Sequence, residues 1–296
     1  MLEKMDELLI GMKGQREWGL LIITYLFLGG SGAGLYVVSM YMNSFMGSIL
    51  GLLLVVLGAI LLLFDLGRPE RFWRAFCKPG TSWISRGTFF ITLLLVVGAL
   101  QIAPSIPGLE SLPWGEGTAV GLTLKVVAAV LAFLVMIYTG FVLSPSPAIP
   151  FWNSTFFPII FLVYSLLAGV DFYLLSSPIL GGGSGAELVM LERFQGYLAI
   201  ACLVLIFSHI SVMTTGTAAA RESMRMLTRG RFALAFMGGV VIAGLLLPLA
   251  LTGGLMLQAR AEVALASLIL AGILRLFGDY LFRYLMIRVG LYDSLM

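Results

Sequence analysis

Eight long apolar stretches, separated by short polar segments, set the pattern of the chain. A helix needs roughly 20 residues to cross the hydrocarbon core of a bilayer. None of the polar segments between the stretches is long enough to form a soluble domain. The pattern predicts an all-α polytopic membrane protein, a bundle of eight transmembrane helices forming a single integral-membrane domain over residues 1–296. The predicted spans are 18–41, 46–64, 87–103, 118–143, 154–177, 190–213, 233–256 and 262–289.

Composition narrows the class of protein further. Apolar residues make up 60% of the chain and charged residues 11%, whereas soluble domains carry about 25% charged residues. So little polar surface excludes a soluble enzyme, a nucleic-acid-binding domain and a disulfide-stabilised secreted fold. We expect the lipid bilayer to solvate most of the exterior.

Potential metal ligands are scarce. The two cysteines, Cys77 and Cys202, cannot supply the four ligands of an iron–sulfur cluster or of a structural zinc. The single histidine, His209, cannot provide bis-histidine haem ligation. The sequence therefore predicts no haem or metal in this protein, so that any electron carrier is a lipid-soluble molecule or belongs to a partner subunit.

Positive charge concentrates on one side of the predicted bundle. This side is called face A and holds both termini, because the number of predicted spans is even. The opposite side, face B, has only Arg193 and Arg260 near its loops. The positive-inside rule places face A in the cytoplasm, although arginines clustered there could instead dock an extrinsic partner. The face A set is Lys4, Lys13, Arg16, Arg68, Arg71, Arg74, Lys78, Arg86, Arg221, Arg225, Arg229 and Arg231.

Ionisable residues within the spans are functional candidates, because each costs about 2.5–3.5 kcal/mol near the bilayer centre on insertion scales. Arg275, Asp279 and Arg283 follow one another at four-residue intervals in the eighth span. This spacing places an acid between two bases on one helical face. The three residues form either a self-neutralising ladder in the bundle core or part of a proton route.

Three further polar residues are weaker candidates for a proton route. His209 lies near the face A end of the sixth span, where a hydrogen bond between helices is the alternative role. Asp171 and Lys125 both fall toward face B and could pair with each other.

Two tyrosines near face A could bind a carbonyl ligand. Tyr25 lies about two turns inside the first span, and Tyr138 lies near the end of the fourth. A phenol can donate a hydrogen bond to a carbonyl while its ring packs on apolar surface, which suits a quinone head group. Tyrosines in membrane proteins also serve as interface anchors, and that role stays open.

Two other features belong to the same candidate region. Gly30 and Gly34 have the small-xxx-small spacing that favours close helix packing, with room for a flat ligand as the alternative. Asp65 ends the second span beside Arg68, where the two could simply pair at the interface.

Several motifs together resemble those of the NrfD-type family, the membrane subunits of polysulfide reductases. The resemblance covers essentially the whole sequence in the expected order. It is carried by residues 25–30 (YLFLGG), 65–69 (DLGRP), 71–73 (RFW), 81–83 (TSW), 138–140 (YTG), 150–153 (PFWN) and 281–284 (LFRY).

The resemblance implies a haem-free, quinone-reactive anchor in the cytoplasmic membrane of a prokaryote. Such a subunit exchanges electrons between quinone, here menaquinone, and an iron–sulfur subunit that serves a catalytic subunit, often molybdopterin-dependent. The quinone-binding candidates are then Tyr25, Gly30, Gly34, Asp65 and Tyr138, and the partner-docking candidates are Arg68, Arg71, Arg74 and Trp83.

The sequence also departs from the family pattern. Tyr138 matches a tyrosine associated with the quinone, but Tyr25 falls where the founding type has a histidine. The founding type also has an asparagine in its first span; the matching position here is near Ile22, so that asparagine is absent. Two other functions stay open, an ion or solute transporter and a passive anchor without quinone chemistry.

Overall fold

The computed structural model describes residues 12–115, 117–180, 185–257 and 265–293, and most of these residues are helical. The helices are α1 (Leu20–Tyr41), α2 (Phe45–Asp65), α3 (Trp83–Ile102), α4 (Ala119–Phe141), α5 (Phe156–Leu180), α6 (Gly185–Met213), α7 (Ala218–Thr228), the π-helical α8 (Leu234–Leu246), α9 (Leu247–Leu257) and α10 (Leu265–Arg288). Short 3-10 helices cover Pro69–Phe76 and Ala103–Ser105, and two-residue strands β1 (Lys13–Gly14) and β2 (Leu291–Tyr292) pair antiparallel.

Seven helical segments among the described residues are long and apolar enough to cross a membrane: α1 to α6, and the continuous pair α8 and α9. They match the first seven predicted spans, although α3 begins at Trp83 rather than at 87 and α6 at Gly185 rather than at 190. The protein is therefore a multi-pass membrane protein.

The eighth predicted span, 262–289, coincides with α10 from Leu265 onward, while 262–264 lie outside the described residues. This helix is 24 residues long, roughly 36 Å at 1.5 Å per residue. It carries four charged side chains and is not among the seven apolar spans. The structure therefore confirms the all-helical membrane fold. It does not confirm the predicted number of eight membrane-spanning helices.

Hydroxyl side chains mark where several helices begin. Ser44 accepts a hydrogen bond from the Gly47 amide at the start of α2, and Thr118 accepts one from the Gly121 amide at the start of α4. Ser82 caps α3 in the same way. Such caps accept hydrogen bonds from backbone amides that have no partner within the helix. They therefore favour the start of a helix at these residues.

The centre of the bundle is α1, which contacts α2, α4, α5 and α10. Its small residues let the backbones of its neighbours approach closely. A Cβ added at Gly34 would overlap the Ser165 carbonyl of α5, and one added at Gly32 would lie 2.8 Å from the Gly51 carbonyl oxygen of α2. The glycine-rich run thus packs helices together, as the small-xxx-small spacing predicts.

The two ends of the described protein meet. The Gln15 amide donates to the Gly290 carbonyl at 3.0 Å, and the Gln15 side-chain amide donates to the Ile287 carbonyl at 3.1 Å. Tyr292 donates its hydroxyl hydrogen to Glu17 at 2.8 Å, which lowers the pKa of Glu17 and raises the pKa of Tyr292. The start of α1 and the end of α10 therefore lie on the same side of the bundle.

The loop 142–155 joins these ends on face A. The Trp152 indole donates to the Met286 carbonyl at 2.8 Å, and its ring packs edge-on against Trp18 with centroids 5.8 Å apart. Helix α7 contacts β2 on the same side. The Trp83 ring stacks on Phe141 at 4.4 Å, which brings the start of α3 to this face as well.

We expect Gly34→Ala to destabilise the protein by about 1–3 kcal/mol, because the new methyl group would overlap the α5 backbone rather than a movable side chain. The measurement is thermal unfolding of the purified full-length protein in detergent. Gly253→Ala is the matched control, since no atom of the described residues lies within 4 Å of a Cβ added there. Equal unfolding midpoints for the two variants would contradict close packing of α1 on α5.

Candidate functional site

The structure brings Tyr25 and Tyr138 together. The Tyr25 hydroxyl, in the second turn of α1, donates to the Tyr138 hydroxyl, in the last turn of α4, across 2.8 Å. Both side chains are buried, with 3% and 2% of their surface exposed. Tyr138 accepts in this hydrogen bond, and among the described residues its own hydroxyl hydrogen has no acceptor. This tyrosine pair is more deeply buried than an interface anchor.

A glycine of α3 makes room for the tyrosine pair. A Cβ added at Gly87 would collide with the Tyr138 ring, so any larger residue would force that ring to move. Sequence reasoning used position 87 only as a span boundary and missed this role. The sequence did show a glycine one turn after the start of α3. Glycine is common where another element approaches the backbone closely, and this could have indicated the contact.

A groove lies on face A at the start of α3. It has a volume of about 540 Å³ and is lined by the 3-10 helix and the start of α3, including Trp73, Arg74, Lys78 and Ser85. Gly87, on which the Tyr138 ring packs, follows Ser85 by two residues and so lies on a different side of α3. The groove therefore borders the start of α3, and neither tyrosine is among the residues that line it.

The docking candidates divide into two environments. Arg68, Arg71 and Arg74 are exposed on and beside the 3-10 helix Pro69–Phe76. Trp83 instead packs within the protein, because it stacks on Phe141 and carries the Arg86 guanidinium 4.5 Å above its ring. The structure places the arginines where a partner could reach them, and Trp83 between Phe141 and Arg86.

Arg283 is the most enclosed charge in the described bundle, with 0% of its side chain exposed. Its Nε donates to Asp279 at 2.8 Å and one terminal nitrogen donates to the Leu26 carbonyl at 3.0 Å. The other terminal nitrogen reaches Ser165 Oγ at 3.2 Å. Arg283 thus ties α10 to α1 and α5, in the bundle core predicted for the ladder.

Arg275 does not join that ladder. Its Nε donates to Asp171 of α5 at 2.8 Å, and a terminal nitrogen donates to Gln195 of α6 at 2.7 Å. On a helix, an acid four residues before a base forms a more favourable pair than an acid four residues after one. Asp279 therefore pairs with Arg283, and Arg275 pairs with a residue of another helix. The expected single ladder is corrected to two separate buried ion pairs.

A cavity adjoins the second ion pair. It encloses about 100 Å³ and is lined by Asp171, Gln195 and Arg275 together with Glu192. Gln195 also donates a hydrogen bond to Asp171. Sequence reasoning missed Gln195 and Glu192, although both lie three residues apart in the predicted sixth span. This volume is large enough for water, which needs several polar partners of the kind present here.

Lys125 does not pair with Asp171, which corrects that alternative. Its ammonium group donates to Asn43 Oδ1 at 3.2 Å, near the face B ends of α1 and α4. His209 lies elsewhere, 1% exposed, with Nδ1 3.4 Å from Ser154 Oγ and its ring edge-on to Phe151 and Phe157. These two residues are therefore separate from the buried ion pairs.

The remaining quinone candidates are also placed. Gly30 faces Ser165 of α5, with the Arg283 guanidinium 3.5 Å from an added Cβ, and Gly34 faces the same helix. Both serve the contact between α1 and α5. Asp65 ends α2 and is partly exposed on the face A side, before the 3-10 helix.

Comparison with known proteins identifies the family. The model of the family described as "Polysulphide reductase, NrfD" matches residues 8–292. The chain belongs to the NrfD family. It is 28% identical to the C subunit of the polysulfide reductase of Wolinella succinogenes over 295 residues, which is 88% of this sequence and 91% of that protein.

Two further NrfD-family relatives are similar to this protein. Protein NrfD of Escherichia coli is 30% identical over 191 residues, 55% of this sequence and 60% of that protein. The NrfD homologue of Haemophilus influenzae is 26% identical over 261 residues, 82% and 81% of the two sequences. The NrfD match spans the tyrosine pair and both buried ion pairs.

We expect Asp171→Leu to lower the free energy of unfolding by about 3–5 kcal/mol, because it leaves the Arg275 guanidinium buried without its carboxylate. The double variant Asp171→Leu/Arg275→Met should recover most of this loss, since it removes both charges. Unfolding of the purified protein measures both. A double variant as unstable as the single one would show that the ion pair is not the source of the loss.

Proposed function

We propose that this protein is the membrane subunit of a respiratory oxidoreductase and exchanges electrons between quinone or quinol and an iron–sulfur partner. The tyrosine pair carries the proposal. A buried hydroxyl group whose hydrogen lacks an acceptor among the described residues can donate to a carbonyl oxygen, and a quinone head group offers two such oxygens. Membership in the NrfD family and the likeness to a polysulfide reductase subunit support it.

The residues present fit a quinone head group in a defined way. Tyr138 would donate its free hydroxyl hydrogen to one carbonyl, while Tyr25 holds the Tyr138 oxygen in place from α1. A bound quinone would supply two-electron, two-proton redox chemistry. Because both tyrosines are buried, a quinone would enter by parting α3 from α4 at Gly87, where the Tyr138 ring packs.

The partner would dock on face A. Arg68, Arg71 and Arg74 are exposed, and Arg74 lines the groove. Guanidinium groups bind carboxylates in a bidentate manner. An iron–sulfur protein with an acidic surface would therefore bring its cluster above the tyrosine pair. A catalytic subunit, of the molybdopterin-dependent class, would complete the complex.

Protons would reach the quinone from within the bundle. The cavity beside Asp171 and Arg275 would hold water in the face B half, and Asp279 with Arg283 would continue the polar groups toward Leu26, the neighbour of Tyr25. This order of groups supports the proposal that proton movement is coupled to the redox reaction. His209 and Lys125 would lie outside the route.

We also propose that α10 is the eighth span. The described ends of the protein meet on face A, so the backbone must cross an even number of times. The charges that make α10 too polar by composition are paired inside the bundle, and intramembrane charges are tolerated when they face the interior. By the positive-inside rule both ends would then lie in the cytoplasm. The membrane would be the inner membrane, as the resemblance to the NrfD family implies.

We expect Tyr138→Phe to lower quinol-dependent turnover of the assembled complex at least tenfold, which corresponds to about 1.4 kcal/mol of lost transition-state stabilisation. The ring still fills the space at Gly87, but the hydroxyl donor is gone. Activity of the catalytic partner with a soluble dye should stay unchanged, because dye reaction bypasses the membrane subunit.

Tyr197→Phe is the control, since Tyr197 is 61% exposed on the outside of α6. Unchanged quinol turnover in Tyr138→Phe would exclude the tyrosine pair as the quinone site. Loss of dye activity as well would mean that the variant disrupts assembly. If the complex shows no quinol-dependent activity at all, the protein is a passive anchor.

A further inference from the structure

A second surface on face A, away from the tyrosine pair, combines positive charge with an apolar floor. It is a groove of about 940 Å³ between the end of α6, the helix α7 and the start of α8. Three arginines, Arg221, Arg225 and Arg229, line it together with a single carboxylate, Glu222. This surface is called the basic groove.

Helix α7 places the arginines by its register. Its buried face consists of Ala219, Ala220, Ser223 and Leu227. The three arginines recur at four-residue intervals, so they share the opposite, exposed face. An amphipathic helix with a basic outer face is typical of segments that lie in the membrane interface.

The local carboxylate does not neutralise the groove. Glu222 lies 3.8 Å from Arg225, and both side chains are well exposed, so the pair contributes little. Arg221 is held in place by donating to the Gly216 carbonyl at 2.9 Å. The groove therefore retains positive charge and presents guanidinium donors, which suit a phosphate group.

The floor of the groove distinguishes between possible anions. Phe207 of α6 is 75% exposed and Met237 of α8 is 45% exposed, and both lie on helices that would face lipid. A free phosphate or an acidic protein surface would leave these side chains uncovered. A phospholipid would place its phosphate among the arginines and an acyl tail along Phe207 and Met237.

We propose that the basic groove is a binding site for an anionic phospholipid. Basic pockets between transmembrane helices are a recognised setting for anionic head groups. Bound there, the lipid would bridge α6, α7 and α8, and so hold α7 against the bundle. This site is independent of the tyrosine pair and of the quinone reaction.

The test uses the purified full-length protein in a neutral detergent, with lipid binding followed by native mass spectrometry and by the thermal unfolding midpoint. We expect phosphatidylglycerol to bind at least tenfold more tightly than phosphatidylcholine with the same acyl tails. The triple variant Arg221→Gln/Arg225→Gln/Arg229→Gln should lose this preference, and the corresponding lysine triple should retain part of it.

The matched control is Arg68→Gln/Arg71→Gln/Arg74→Gln, which removes the same charge from another part of face A. It should keep the preference for phosphatidylglycerol. Equal binding of the two lipids, or equal loss in the control triple, would overturn the proposal. Inorganic phosphate that raises the unfolding midpoint as much as phosphatidylglycerol would also overturn it, because the site would then bind only a phosphate anion.

Discussion

The fold depends on satisfying buried guanidinium groups inside a bundle that lipid surrounds. A charge in the interior of a membrane protein is costly unless it is paired and hydrogen-bonded. Arg283 meets this requirement with Asp279, Leu26 and Ser165. Because these partners come from three helices, the electrostatic requirement also determines how α10 lies against α1 and α5, and the glycines of α1 make the required close approach possible.

The same arrangement gives the two halves of the bundle different chemistry. The half toward face B holds Arg275, Asp171 and Gln195 around a small polar cavity. The half toward face A holds the tyrosine pair, and the exposed arginines of the 3-10 helix segment lie on the same face. A quinone reaction needs a carbonyl-binding donor, a route for protons and a surface for an electron-transfer partner, and the proposed function assigns one region to each need.

Much of this could be predicted from sequence, because apolar length and charged loops are local properties. The seven apolar spans, the face A position of Tyr25 and Tyr138, and the family follow from such patterns. Contacts between helices do not. Helical spacing suggested that Arg275 pairs with Asp279, whereas packing places Asp171 of α5 closer. Gly87 was missed for the same reason, since its role depends on a ring from α4.

The most direct test of the central claim, that paired charges let α10 cross the membrane, is labelling with an impermeant maleimide. Cys77 is exposed on face A and serves as an internal reference, while Cys202 is buried. Cysteines introduced at Arg260 and Ser294 flank α10 in sequence. Ser294→Cys should label from the same side as Cys77 and Arg260→Cys from the opposite side. Labelling of both from one side would contradict an eighth crossing.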